Sequence, residues 1–419
     1  MNNNNVFNLQ LNKETTTKAL NDFILYKIKN GVQQIPILCK STQTYSNVCA
    51  PVSAVLEYYR NLGIHFDIQY TNEDKKAIFV LQSHFDCPLI VEDPDNKGNL
   101  QHPFNKVWKF STEQGIYELA SAFVLALRKA DTVAEGIIQS VDWCINETMD
   151  NVFVHSEGSS GYAMAQYFPT SGHFAFCVFD TGVGILQSFK HSKKHFPKDG
   201  LDAISLALQE HVTSDESVGQ GNGMWGMSQI VDANGGSFTV CSSGAKYQNR
   251  YGNIRTAQTG EFHLGANHGT TFVEFQLDCK NAVDVLKTLD GYAPMDMWED
   301  SHLDDSDLES IRISIALESS GTGTRISGKH MRNMVTNLLK EKHNVILDFD
   351  GVNFISSSYA DELIGKLIAS IGFIQFINHV KLKNISSYSV PIINRSVSQR
   401  MAQTYYDNTI PDVTDDESH

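Results

Sequence analysis

Apolar residues return every three to four positions through 137–152. Ile137, Val141, Ile145, Met149 and Val152 line one stripe, which predicts an amphipathic helix with that stripe against a core. The opposite side, in NETMDNVFVHS (146–156), carries Glu147, Asn151 and His155 at i, i+4 and i+8, with Asp150 beside them. GIYELASAFVLALRKA predicts a helix just before it, and HFAFCVF an apolar strand after it. Further on, the glycine-rich GQGNGMWGMSQIVDANGG opens a helix and HGTTFVEFQL opens a strand. Upstream, APVSAVLEYYRNLG reads as a helix ending at Gly63 and KKAIFVLQ as a strand. From Ile311 the pattern alternates: strand IRISIALES, helix GKHMRNMVTNLLKEKH, strand NVILDFDGV, helix YADELIGKLIASIG, strand FIQFINHVKL and a last helix.

That pattern predicts an α/β protein in several parts. Residues 1–115 form an N-terminal α/β module in which no chemistry rises above structure. Residues 116–280 form a central α/β region. An acidic linker spans 281–310, a second α/β domain 311–405 and a disordered tail 406–419. As a flexible coil the linker would span roughly 30 Å.

Composition changes the picture in three places. With 419 residues, 41% hydrophobic and 19% charged, the chain has material for about two to four packed domains. Its formal net charge of −15 disfavours a nucleic-acid or anionic-membrane coat, so neither partner is expected. The seven cysteines form no CxxC pair or metal-finger spacing and read as reduced residues of a cytoplasmic protein. The polar start MNNNNVFNLQ does not read as a signal peptide, and no apolar run approaches the ~18 residues a membrane helix needs.

The candidate chemistry lies in the central region. An acid at the end of a buried strand followed by glycines, DTGVGI, can accept a hydrogen bond from an exocyclic amine while the backbone passes close to a flat ligand. Glycines at 219, 221, 223 and 226 open a helix whose first N–H groups could cradle phosphates. The sequence ELIGKLIAS contains GK without the glycine-rich loop of a Walker A motif. The order of NETMDN, DTGVG, the glycine-rich box and the late GT pair resembles the GHKL family of gyrase, histidine-kinase, MutL-type and anti-sigma-factor-kinase proteins. The resemblance covers about 116–278 and implies a histidine-kinase-like ATPase domain that binds ATP and Mg²⁺, an α/β sandwich with a mixed sheet covered by helices on one face.

Carried over by position, the resemblance makes Asn151 a Mg²⁺ ligand and Glu147 the general base or orienter of the nucleophile. Asp180 would take the adenine amine, and Gly182 and Gly184 would shape the adenine pocket. Gly221 and Gly223 would hinge the lid and meet the phosphates, with Thr270 on the adenine side. Residues 186–218 would form the lid. Asp150 matches an acid of gyrase-like members and equally suits a helix surface. No histidine upstream sits in a phosphoacceptor context, and no transducer domain follows the GT pair.

The block after Ile311 is similar to STAS domains, the fold of anti-sigma-factor antagonists, and more closely to a STAS-like family of unknown function. VILDFDGVNFISSSYADELIGKL carries that likeness. Ser358 falls on the phosphoacceptor position, although Ser356 stands where the family has an acid and Tyr359 where it has glycine. Ser358 also suits a helix N-cap, with Asp361 three residues on. Together the resemblances imply an ATP- and Mg²⁺-binding bacterial signalling protein, an ATPase or protein serine kinase acting with its STAS-like domain. Two other readings are an ATP-gated interaction switch without kinase activity and an ATPase module of a defence or stress assembly. Protein partners would meet the STAS-like domain or the N-terminal module, and a homodimer is compatible with each reading.

Overall fold

The computed structural model describes residues 6–71, 80–155, 160–191, 194–212, 223–258, 269–291, 297–304 and 307–409. The chain is mixed α/β and divides into two compact units, residues 1–126 with 139–294, and residues 127–138 with 295–419. The principal helices are numbered α1 to α8 below.

The first unit holds two sheets. Strands β1 (Phe7–Leu9), β2 (Gln34–Cys39) and β3 (His65–Tyr70) pair in parallel in that order. Helices α1 (Thr16–Lys29) and α2 (Ser46–Asn61) provide the crossovers that parallel neighbours require. The strand read at KKAIFVLQ lies mostly outside the described residues, and of its three described residues Val80 and Leu81 are helical and Gln82 lies in a turn.

The larger sheet has eight strands. They are β4 (Leu89–Ile90), β5 (Trp108–Phe110), β6 (Gly161–Phe168), β7 (His173–Asp180), β8 (Ser237–Ser242), β9 (Ala245–Arg250), β10 (Asn253–Gln258) and β11 (Thr271–Asp278). Their spatial order is β10-β9-β8-β11-β7-β6-β5-β4, antiparallel except for β4 with β5. The register sets Asp180 opposite Thr271, and Thr271 opposite Ser242, so one row crosses the ends of three strands.

Strand residues alternate between the faces of that sheet. Phe174 and Phe176 of β7 lie on one side, where Phe176 meets Phe123 of α3 (Glu113–Ala130) with ring centroids 5.9 Å apart. Asp180 shares their parity. Cys177 and Phe179 lie on the other side, in one core with Tyr162, Met164, Cys241, Phe272 and the apolar faces of α1 and α2. The sheet is therefore covered on both faces, not on one as the family resemblance implied. The reason is visible in β7, where all residues from Phe174 to Asp180 are buried. Residues of the N-terminal region supply the second cover.

In the second unit, β12 (Leu303–Asp304), β13 (Asp307–Ser314), β14 (Asn344–Asp348) and β15 (Val380–Lys383) form a sheet in chain order. The last three are parallel, and β12 is antiparallel to β13. Helices α6 (Arg325–Lys340), α7 (357–371, with a π turn at Asp361–Gly365) and α8 (Val390–Thr409) accompany it. Two expectations change here. Phe373–His379, read as strand, is helical, and β15 begins only at Val380. Within 281–310, read as a flexible linker, the described residues include helices Val285–Thr288 and Met297–Ser301, strand β12 and the start of β13. Glu299 and Asp304 of that acidic run are buried, because Arg128 holds the first and Arg312 the second. The tail from residue 410 lies outside the described residues.

Candidate functional site

Asp180 ends β7 and is buried. Its carboxylate accepts the Gly182 N–H at 2.8 Å and further hydrogen bonds from the hydroxyl and N–H of Thr271. Burial pushes its pKa up to about 6, against the pull of those bonds. The turn that follows needs its glycines. Gly184 has φ +78°, a left-handed conformation, and a methyl group there would stand 3.2 Å from Cα of Gly269. Any side chain on Gly269 would in turn run into the Val183 carbonyl. The two turns thus lie backbone against backbone.

Ser242 ties them together. Its hydroxyl donates to the Thr270 carbonyl at 3.0 Å and accepts the Ile185 N–H at 2.9 Å. Thr270 is fully buried. Asp180, Gly182, Gly184 and Thr270 are accordingly brought together at one edge of the row. Ser242 and Thr271 belong with them and were missed in the sequence. Cross-strand register makes their roles, and no local motif announces it.

The second cluster forms on helix α4 (Ile137–His155). Its apolar residues Ile137, Val141, Ile145, Met149 and Val152 are buried as the periodicity predicts. Glu147 and Asn151 stand one turn apart on the other side, and helix α5 (Gly223–Asn234) begins directly on them. A methyl group at Gly223 would stand 3.2 Å from Cδ of Glu147, closer still to Oε2, and 3.7 Å from Nδ2 of Asn151. Asn151 Nδ2 donates to the Glu147 carbonyl at 2.6 Å, which leaves its Oδ1 as the atom offered to a cation. An oxygen donor of this kind suits Mg²⁺. Burial and the Asp150 carboxylate push Glu147 up to about 7. Asp150 itself is exposed. Gly221 lies outside the described residues, as do 213–218 of the lid region.

Such an arrangement offers a proton acceptor near neutrality, an amide oxygen, the N–H groups of a helix start and a buried carboxylate beside close-packed backbone. Among the described residues one group of carboxylates and histidine has metal-ligand spacing, Glu299, Glu341 and His343 of the second unit. Its carboxylates already hold the Arg128 guanidinium at 2.7 and 2.9 Å, so it reads as an ion-pair network.

Around Ser358 the structure revises one detail. The N-cap of α7 is Ser356, whose Oγ accepts the Tyr359 N–H at 3.0 Å. Ser358 lies inside the first turn, half-buried, with its hydroxyl 3.1 Å from that of Ser356. Asp361 does not close a capping box; it pairs with Arg400 at 2.7 Å.

Residues 327–390 match the model of a STAS-like domain of unknown function (DUF4325). That bears out the reading of the C-terminal block as STAS-like. No curated protein and no solved structure matches the chain. Among the described residues no helix is long and apolar enough to cross a membrane.

Proposed function

We propose that the first unit binds ATP with Mg²⁺ in the manner of GHKL proteins, and that the chain is a signalling regulator acting with its STAS-like domain. The observation that carries this reading is the seating of Gly223 on Glu147 and Asn151. Residues far apart in sequence thereby place a carboxylate, an amide oxygen and a helix start in one spot. The closely packed turns around Asp180 support an adenine-binding role for that end of the row. When bound, Mg²⁺ would neutralise phosphate charge. Asn151 Oδ1 would hold it, and Glu147 would orient or deprotonate the nucleophile. Asp180 would accept the adenine amine, with Gly182 and Gly184 keeping the pocket flat.

Calorimetry with Mg-ATP tests the assignment. Wild type should bind at micromolar to millimolar affinity, and Asp180→Asn or Asn151→Ala should weaken it strongly. Losing a charge-assisted hydrogen bond costs about 1.5–3 kcal/mol. Unchanged affinity in both variants would sink the site.

The second reading, an ATP-gated interaction switch without phosphoryl transfer, is favoured by the surroundings of Ser358. Its hydroxyl is half-buried beside Ser356, and the neighbouring Tyr359 is buried with its phenol on the Ser319 hydroxyl at 3.0 Å. An intact mass after incubation with Mg-ATP separates the two. Gain of one phosphoryl group at Ser358 supports the kinase, and no gain together with ATP binding supports the switch.

A further inference from the structure

Trp143, Glu147 and Asn151 follow one another a turn apart along α4, and the first turns of α5 rest on all three. A methyl group at Gly226 would stand 2.9 Å from Cζ3 of Trp143, closer still to Cη2, and 3.0 Å from Cδ2 of Leu289. The next residue, Met227, accepts the Thr148 hydroxyl on its sulfur at 3.0 Å. Trp143 is 7% exposed, and its indole N–H is buried without an acceptor among the described residues. Both features oppose stability. A glycine within a helix costs up to about 1 kcal/mol relative to alanine, and an unmet buried donor costs about 1–3 kcal/mol. What they provide together is a rigid ring, met at Cη2 and Cζ3, against which the helix backbone packs at Gly226 with no side chain between.

We infer that Trp143 and Gly226 are positioning residues, the indole being the seat that fixes the first turn of α5 over Glu147 and Asn151. The inference rests on the ATP reading and deepens it, because it names what holds the phosphate-facing elements in register. Trp143 touches no phosphate in this scheme. It acts through α5, while the Asp180 end is built by other strands and turns.

That separation supplies the test. Calorimetry on the full chain compares Mg-ATP with adenosine, which lacks phosphates and engages only the Asp180 end. Gly226→Ala should lower ATP affinity by about tenfold or more and change adenosine affinity by less than about threefold. Gly226→Ala binding ATP as wild type, or parallel loss of both ligands with unchanged circular dichroism, would each overturn the seat. If Gly226→Ala does not fold, Trp143→Phe carries the same comparison. A smaller ring should weaken ATP and spare adenosine, and equal effects on the two would overturn it. Wild type that binds neither ligand removes the ATP reading itself. Wild type that binds both, with an indifferent Gly226→Ala, removes the seat alone.

Discussion

Two carboxylates, the half-buried Glu147 and the buried Asp180, are held above the ordinary range, to about 7 and about 6. Burial is the main cause at both, and each result carries a sign. As a base, Glu147 acts only when deprotonated, so any turnover should rise with pH through about 7. Glu147→Gln should keep ATP binding and lose most of that turnover, measured as phosphate release; wild-type turnover would demote it to a helix-face acid. For stability the direction is opposite. A carboxyl group whose folded pKa is raised favours the folded state at low pH, and that contribution is lost as pH rises through the folded value. Without nucleotide, the first unit should therefore lose thermal stability between about pH 4 and pH 6 on account of Asp180. Asp180→Asn should flatten that slope and raise stability at pH 7 by roughly 2 kcal/mol, seen in melting curves across pH. A slope identical in wild type and variant would contradict the burial argument. At this scale the candidate site was partly legible. Glu147, Asn151 and Asp180 sit in contiguous boxes whose residue types announce chemistry. Ser242, Thr271 and Trp143 do not, because a serine, a threonine and a tryptophan acquire their roles from neighbours across strands or helices.

Among elements, the segment 127–138 shows why the acidic run was misread. Its carbonyls are taken by side chains of α6: Asn337 Nδ2 donates to Arg128 and Asp131 at 3.1 and 2.9 Å, Lys340 to Val133 at 2.5 Å and Asn333 to Lys129 at 3.2 Å. The fully buried Arg128 guanidinium pairs with Glu299 and Glu341 and lies over the Trp298 ring at 5.1 Å, while His343 holds Glu299 at 2.9 Å. Lys129 and His302 both meet Glu318. Local composition predicts solvation for WEDSHLDDSDLES, since its cationic partners lie outside that stretch. Phe373–His379 was misread for a related reason. Its apolar residues suit a strand locally, and only the surrounding fold makes them one helical stretch before β15. Arg128→Met should destabilise the second unit by about 3–5 kcal/mol in urea unfolding, because two buried carboxylates lose their partner. A change below about 1 kcal/mol would show the network to be dispensable. The pH dependence follows from the cited shifts. His302 and His343 are raised by their glutamates, so their stabilisation is complete below about 6.5 and is lost as pH rises through the raised values. Glu299 and Glu318, held down to about 2, contribute above about 4.5 and lose that contribution toward pH 2. The second unit should accordingly be most stable between about pH 5 and 6.5.

For the whole molecule, chain continuity links the two units. Helix α4 starts at Ile137, in the segment that belongs to the second unit, and runs on through Glu147 and Asn151 in the first. A rigid helix transmits a shift at one end to the other more directly than a coil does. A flexible 281–310 would offer another route, bringing the lid (186–218) to the start of α7, and the ordered elements within that stretch weaken it. Hydrogen exchange with and without a non-hydrolysable ATP analogue distinguishes the routes. If α4 carries the signal, protection should rise around 143–151 and change together in 127–138 and 333–340, with Ser356–Leu363 unaffected. Asp180→Asn should abolish all of these changes at once, because it removes binding. A joint response of the lid and Ser356–Leu363 with 127–138 silent would restore the linker route. A response confined to the first unit would make the STAS-like domain an independent binding module. The helical route is favoured because 127–138 is held by at least five hydrogen bonds to α6 side chains. A segment so held moves with its holder.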